Sequence, residues 1–105
     1  MAITARVTVR NPSGLHARPL AVFVRTAGPF AAAIRVRNLN RAPEREVDAK
    51  SILALMTLGV SSGHEIELRA DGADAEAAVA ALRQAVAEGL GEPIGSDPAK
   101  PSGAA

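Results

Sequence analysis

The first half of the chain shows two patterns of apolar residues in turn, one with the two-residue period of a strand and one with the period of a helix. Apolar and polar residues alternate over residues 3–10, which predicts a strand with one buried face. Apolar residues then recur with helical spacing from Leu20 onwards until Gly28, which predicts a helix over residues 16–27. Alternation returns over residues 33–39 and predicts the second strand.

The second half of the chain adds two strands and two helices. A short extended segment over residues 47–49 follows a connection rich in turn residues. Ser51 is a good N-cap for a short apolar helix that runs to residue 58. Residues 64–70 alternate again, and residues 75–88 carry a helical apolar stripe that follows an acidic turn. The predicted order is therefore β-α-β-β-α-β-α.

This order indicates an α+β fold, a two-layer open-faced sandwich. Three helices would cover one face of a four-stranded, mainly antiparallel sheet. The length allows one domain, which we assign to residues 1–92. Residues 93–105 combine Pro, Gly, Ser and Ala without apolar periodicity, so we expect a disordered C-terminal tail.

Composition excludes several classes of site. The chain has no Cys and only two His, so neither a disulfide nor a zinc cluster is expected. The N-terminus lacks a signal-peptide pattern, and no apolar run is long enough to span a membrane. We therefore expect a cytoplasmic protein without membrane insertion.

The charges are unevenly distributed along the chain. Residues 1–43 hold seven of the 12 basic residues and no acid, whereas all 11 acids follow. A basic half suggests nucleic acid or an acidic protein as partner. Phe23 and Phe30 are the only aromatic residues, and both are predicted to be buried, so no base-stacking platform is expected. The sequence favours an acidic protein partner and no nucleic acid.

The turn before the first helix carries the candidate chemistry. Asn-Pro and Ser-Gly turn residues precede His16, and Pro19 fits only in the first turn of a helix, so the helix begins close to His16. The free backbone N–H groups there attract anions and disfavour an imidazolium ring, so we expect a neutral nucleophile. Arg18 adds a guanidinium suited to phosphoryl oxygens. These groups together are what phosphoryl transfer needs.

Two blocks of the sequence resemble a known family. Residues 14–19, Gly-Leu-His-Ala-Arg-Pro, resemble the active-site signature of HPr, the histidine phosphocarrier of the bacterial phosphoenolpyruvate-dependent sugar phosphotransferase system. Residues 50–59 resemble its regulatory serine and short second helix, and the resemblance covers roughly residues 1–92. The resemblance implies the same open-faced sandwich.

The resemblance also implies a relay. His16 would accept a phosphoryl group from a phosphohistidine on enzyme I, charged by phosphoenolpyruvate, and pass it to a histidine on the IIA domain of a sugar permease. Ala17 and Arg18 would bind the phosphate, and no metal or cofactor would be needed. The protein would be a stoichiometric carrier rather than an enzyme, and it is expected to be a monomer.

Regulation and docking are further implications of the resemblance. Ser51 would be the regulatory serine, with an HPr serine kinase/phosphorylase as a further partner. The residues implied to dock partners lie on the first two helices: Ala17, Leu20, Ala21, Arg25, Ile52, Leu53 and Met56. The connection over residues 38–48 is longer than is usual in the family, and Leu20 and Gly28 depart from its common residues.

Simpler explanations stay open for each residue. His16 could start a helix without a further task, Arg18 could be a solvated charge, and Ser51 could act only as a cap. Ile52, Leu53 and Met56 could belong to the core. Two other functions are also open: a nitrogen-branch regulatory paralogue that uses the same phosphohistidine, and a non-catalytic interaction module. His64 is expected to be an ordinary surface residue.

Overall fold

Seven elements form in the predicted order in the computed structural model, which describes residues 2–92. They are β1 (Ala2–Thr8), α1 (Ala17–Ala27), β2 (Ala33–Asn38), β3 (Glu46–Asp48), α2 (Ile52–Met56), β4 (Glu65–Asp71) and α3 (Ala75–Ala87). The predicted disordered tail, residues 93–105, lies outside the described residues. Within them, no helix combines the length and apolar character that crossing a membrane requires.

The four strands form one antiparallel sheet in the order β1-β4-β2-β3. The last strand of the chain, β4, therefore lies between β1 and β2. Val36 of β2 pairs with Leu68 of β4, and Ala5 of β1 pairs with the same Leu68 from the other side. This register puts the apolar residues of the central strands on one face, because successive side chains in a strand point to opposite faces.

The helices cover that apolar face and leave the other face exposed. Ile34, Val36, Ile66 and Leu68 from the sheet are almost completely buried. They form one core with buried side chains of the helices, including Leu20, Phe23, Leu55 and Leu82. The predicted α+β open-faced sandwich is thus confirmed.

Charges alternate across one row of the exposed face. Arg6 of β1 pairs with Glu67 of β4, Glu67 pairs with Arg37 of β2, and Arg37 pairs with Glu46 of β3. Arg37 Nη2 donates to Glu46 at 2.9 Å, and its Nε lies 3.2 Å from Glu67 as an ion contact without hydrogen-bond geometry. The strand order therefore interleaves the basic and acidic halves of the chain. Part of the basic excess of residues 1–43 is neutralised within the molecule.

Five elements end earlier than the sequence predicts, among them β2 at Asn38 and β3 at Asp48, each by one residue. β1 ends at Thr8, although the N–H of Val9 still donates to His64 O at 2.9 Å. α2 ends at Met56 instead of residue 58. The N–H groups of Thr57 and Leu58 donate to carbonyl groups three residues before them, which is the 3₁₀ pattern and not the α-helical one. α3 ends at Ala87, one residue before the predicted end.

The acidic turn before α3 contributes a carboxylate that does not cap the helix. Asp74 occupies the N-cap position of α3 but makes no side-chain cap hydrogen bond. Its carboxylate instead accepts from the backbone N–H groups of Ala31 and Ala32, both at 2.8 Å. Asp74 therefore joins the start of α3 to the segment that leads into β2.

Candidate functional site

The loop between β1 and α1 is held in place from both sides. The buried side chain of Asn11 donates to Gly14 O at 2.9 Å, and the N–H of Gly14 donates back to Asn11 O at 3.1 Å. Leu15 is buried in the core, and its N–H donates to Val60 O at 3.0 Å. The loop is therefore closed on itself and attached to the segment that follows α2.

Gly14 allows this attachment. Its φ of +62° lies in the left-handed region, and a Cβ atom here would lie 2.3 Å from Val60 O. Any other residue would separate the loop from residues 60–61, so the glycine is required by both the backbone conformation and the close approach.

His16 lies at the N-cap position of α1 with its ring exposed. Its backbone is extended, and no side chain caps the helix. The N–H groups of Ala17 and Arg18 are therefore uncapped next to the ring, and Pro19, which has no N–H, occupies the first turn as predicted. This is the arrangement that makes a helix start attractive to an anion.

The imidazole ring is oriented by one hydrogen bond. His16 Nδ1 lies 2.8 Å from Ser13 O. A carbonyl oxygen can only accept, so Nδ1 carries the proton of this bond, and in the neutral ring the free lone pair is on Nε2.

Ala17 and Arg18 follow the histidine with exposed side chains. Ala17 has a φ of 49°, which non-glycine residues rarely adopt, and it turns the chain from the loop into α1. Arg18 lies beside the C-terminal segment, because a Cβ atom on Gly91 would be 3.3 Å from Arg18 Cδ.

Glu92 also belongs to the site, although no motif or spacing along the chain marks it. One carboxylate oxygen accepts from Asn11 Nδ2 at 3.0 Å and from the N–H of Ser13 at 2.9 Å, and the other accepts from Ser13 Oγ at 2.6 Å. Hydrogen bonds from Asn11 and Ser13 hold the pKa of the Glu92 carboxyl below its usual value, and the charge of Arg18 lowers it further. An ionised carboxylate thus anchors the loop that carries the histidine.

The candidate docking residues divide into exposed and buried ones. On α2, Ile52, Leu53 and Met56 are 46%, 76% and 51% exposed, so they are not core residues. On α1, Ala17 and Arg25 are exposed and Ala21 is half-buried. These exposed residues belong to two helices that pack against each other.

The prediction that Leu20 docks partners is wrong. Leu20 is only 3% exposed, because it shares the inward stripe of α1 with Phe23 and Ala27. Its side chain packs in the core and cannot contact a partner.

Ser51 caps α2 as predicted. Its backbone is extended, and its Oγ accepts from the N–H of Ala54 at 3.1 Å. The hydroxyl lies at the start of the helix that carries Leu53, so any charge added there would border the exposed apolar side chains of α2.

His64 is not the ordinary surface residue that the sequence suggests. Its Nδ1 accepts from the N–H of Ser61 and from Asn38 Nδ2, both at 3.1 Å. Asn38 is completely buried and also donates to Leu58 O at 3.1 Å. His64 thus helps to fix the segment after α2 against which the loop of His16 packs.

Residues 2–92 contain no group of three or more His, Cys, Asp or Glu side chains that could hold a metal ion.

Comparisons with known proteins agree with this geometry. The family model described as the PTS HPr component phosphorylation site matches residues 3–88. The phosphocarrier protein HPr of Streptomyces coelicolor is 42% identical over 87 residues, which cover 83% of this chain and 90% of that protein. The crystal structure of HPr-C-His from Thermoanaerobacter tengcongensis superposes with a TM-score of 0.80 at 40% identity, covering 88% of this chain and 99% of that one.

A longer type of relative matches as well. The multiphosphoryl transfer protein of Haemophilus influenzae is 41% identical over 97 residues, which cover 92% of this chain and 19% of that protein. The chain thus spans about a fifth of the length of the multiphosphoryl transfer proteins that it matches. The matches together show that the chain belongs to the HPr family of phosphocarrier proteins of the phosphotransferase system.

Proposed function

We propose that the protein carries a phosphoryl group on His16 from enzyme I to the IIA domains of sugar permeases. The observation that carries this proposal is the exposed ring of His16 at the uncapped start of α1, with Arg18 beside it. Membership of a phosphocarrier family supports the reaction class.

Each transfer exchanges one phosphorus–nitrogen bond for another. A lone pair on the ring of His16 attacks the phosphorus of a phosphohistidine on enzyme I, and the donor imidazole leaves with its electron pair. In the neutral resting ring this lone pair is on Nε2. Attack through Nδ1, the nitrogen used by the family, requires the Nδ1 proton to move to Nε2 through solvent and the bond to Ser13 O to open.

The transferred phosphoryl group is negatively charged, and the groups around His16 that would contact it carry positive or partial positive charge. The uncapped N–H groups of Ala17 and Arg18 and the Arg18 guanidinium suit its negative oxygens. These contacts favour acceptance but must leave the group ready for onward transfer, because a carrier that held it too tightly would stall the relay. On this account the protein is a stoichiometric carrier and not a free-standing enzyme.

The exposed side chains of α2 and α1 are the proposed docking surface. Ile52, Leu53 and Met56 supply apolar contacts, and Arg25 supplies charge toward an acidic partner. Because donor and acceptor must bind in turn, we expect a small interface that exchanges rapidly and a monomeric carrier.

Phosphorylation of Ser51 by an HPr serine kinase/phosphorylase is a further part of the proposal. A phosphate at this N-cap would lie at the start of α2, next to Ile52 and Leu53. Its negative charge would repel acidic partners at the docking surface.

The decisive experiment uses the fact that the chain has only two histidines. Wild-type protein, His16→Ala and His64→Gln are incubated with enzyme I and radiolabelled phosphoenolpyruvate. Wild type and His64→Gln should gain an acid-labile phosphate, whereas His16→Ala should gain none because it lacks the acceptor nitrogen. An unlabelled wild type would instead favour a non-catalytic interaction module, whereas a labelled His16→Ala would show that another residue is the acceptor.

A comparison of two phosphoryl donors tests whether the protein belongs to the sugar branch or to the nitrogen branch of the phosphotransferase system. Faster phosphorylation by a sugar-branch enzyme I than by its nitrogen-branch counterpart supports the sugar relay. The reverse order would assign the protein to the regulatory nitrogen branch. The cytoplasmic location expected from the sequence stays a prediction.

A further inference from the structure

The connection between β2 and β3, residues 39–45, is fixed by hydrogen bonds to both strands beside it. Asn40 Oδ1 accepts from the N–H of Glu65, the first residue of β4, at 2.6 Å. Arg37 of β2 donates from Nη1 to Pro43 O at 2.9 Å. The side chains that this connection carries therefore have defined positions.

Two arginines of the connection lie against the end of α2. Arg45 donates to Thr57 Oγ1 twice, from Nε at 3.2 Å and from Nη2 at 3.0 Å. Arg41 lies across Gly59, where a Cβ atom would be 2.5 Å from Arg41 Nη1. Because Gly59 has no side chain, the guanidinium of Arg41 can approach the backbone that follows α2.

These guanidinium groups border the exposed apolar side chains of α2. Thr57 keeps a helical backbone as the C-cap of α2 and follows Leu53 by four residues, so the two lie on the same side of the helix. Leu53 is 76% exposed, and Met56, which precedes Thr57, is 51% exposed. Arg45 therefore adds positive charge beside the apolar side chains, and Arg41 adds more at the segment just after them.

Neither arginine is neutralised within the part of the chain that the structure describes. The ion pairs found there lie on the exposed face of the sheet, and none involves Arg41 or Arg45. Glu44, the one acid of the connection, is exposed and pairs with neither of them. Both arginine side chains are exposed as well, so their charge is available to carboxylates of another protein.

We propose that Arg41 and Arg45 form a basic end of the docking surface and bind carboxylates of the protein that docks on α2. The partner face that fits is an apolar patch flanked by acidic side chains, because Leu53 and Met56 offer apolar contacts and the guanidinium groups offer charge-assisted hydrogen bonds. This role rests on the proposed function, because enzyme I is the docking partner that brings the phosphoryl group. It adds the connection between β2 and β3 to the residues that determine which partner binds.

Four substitutions separate the charge of the arginines from their placement. Arg41→Gln and Arg45→Gln each remove one positive charge. Thr57→Ala keeps the charge of Arg45 but removes the hydroxyl that places it. Arg35→Gln is the matched control, because it removes an exposed arginine from the face of the sheet that the helices leave open. All four positions are exposed, so the melting temperatures should stay close to that of wild type.

The first measurement is the dissociation constant for enzyme I without phosphoenolpyruvate, by calorimetry on the full chain. At a salt concentration of about 50 mM, each arginine variant should bind about 3-fold more weakly than wild type and the double variant about 10-fold. At about 500 mM the differences should shrink to within about 2-fold, because salt screens exposed charges. Thr57→Ala should lose about 2-fold at low salt, and Arg35→Gln should bind like wild type.

The second measurement is phosphoryl transfer from enzyme I at low salt. The double variant Arg41→Gln/Arg45→Gln should raise KM about 10-fold and keep the maximal rate within about 2-fold, since the acceptor His16 is unaltered.

The outcomes distinguish this role from the proposed function. Wild-type affinity in the double variant, or an equal loss in Arg35→Gln, would overturn the role of the two arginines even if His16 is phosphorylated normally. A wild type that binds enzyme I but gains no phosphate would overturn the proposed function, and the salt-dependent loss in the double variant would still support the arginines as docking residues. A wild type that does not bind enzyme I would overturn both.

Discussion

Gly14 is the residue at which the histidine-bearing loop meets the segment after α2. The space for its side chain is already occupied, since a Cβ atom would lie 2.3 Å from Val60 O and 2.8 Å from Ser61 Cα. Backbone atoms cannot move aside as the end of a flexible side chain can. The position of His16, two residues later, therefore depends on the absence of a side chain here.

Substitution of Gly14 by Ala should destabilise the protein by more than backbone strain alone. We expect a loss of at least about 2 kcal/mol in the free energy of unfolding, measured by urea denaturation, because a collision adds to the left-handed backbone. Gly63→Ala is the control, since Gly63 has a φ of +93° but no atom within 4 Å of its Cβ position. That variant should lose only about 1 kcal/mol. Equal losses in the two variants would show that the contact with Val60 is unimportant.

The residues that the sequence did and did not predict differ in where their partners lie. The proposed roles of His16, Arg18 and Ser51 could be inferred from the sequence because they depend on neighbours within a few positions: a turn, a proline, a helix start. Glu92 and His64 were missed because their partners are distant along the chain, at Ser13 for Glu92 and at Asn38 for His64. No local pattern marks a carboxylate or an imidazole that is held by such a contact.

At the scale of elements, α2 is short and has one buried face. Leu55 is its one completely buried residue, whereas Leu53 is 76% exposed. A helix of five residues makes few bonds of its own, so packing of Leu55 and the cap at Ser51 stabilise it. Its exposed side is then free to be altered without unfolding the domain.

A negative charge on the exposed side of α2 should weaken docking without affecting the fold. Leu53→Glu is expected to raise KM for enzyme I about 10-fold, because it removes an apolar contact and repels an acidic partner. The melting temperature should change little, since Leu53 is mostly in solvent.

Ala80→Glu provides the control for this prediction. It adds the same charge at an exposed position of α3, outside the proposed docking surface, and should leave KM unchanged. A similar rise in KM for both variants would point to net charge rather than to α2 as the cause.

Element types were predictable from hydrophobic period, whereas several element ends were not. The alternation in β2 and β4 and the inward stripe of α1 follow from which side chains face the core. The same stripe shows why Leu20 had to be buried, although the family resemblance placed it at the docking surface. The end of α2 depends on hydrogen bonds at Thr57 and Leu58 that no periodicity reveals.

Over the whole molecule, carboxylates join segments that are far apart in the chain. Asp74 binds the N–H groups of Ala31 and Ala32, and these bonds hold its pKa below the ordinary value of 3.8. A group whose pKa is lower in the folded state stabilises the fold above its ordinary pKa, and this stabilisation is lost as the pH falls through the lowered value.

Acid should therefore destabilise the wild type more steeply than an Asp74→Asn variant. Between about pH 5 and pH 2, the urea midpoint of wild type should fall as the Asp74 carboxylate gains a proton, and this part of the fall should be absent in Asp74→Asn. Glu76→Gln is the control, because Glu76 is an exposed acid on the same helix. An acid profile of Asp74→Asn as steep as that of wild type would contradict the assignment.

The position of β4 between β1 and β2 has a consequence for synthesis of the chain. Ala2 pairs with Asp71, so β1 is made before β2 and β3 but gains a neighbour only when β4, the last strand of the sheet, has been made. The part of this domain that precedes β4 is basic, because residues 1–43 carry seven arginines and no acid. Topologies dominated by such distant pairings fold slowly, because the entropy of closing a long loop is lost before the contacts between the strands can form. A translation product that ends before Glu65 would lack β4 and most of the acidic residues. Such a fragment would be basic and could not form the four-stranded sheet, so we expect it to be degraded.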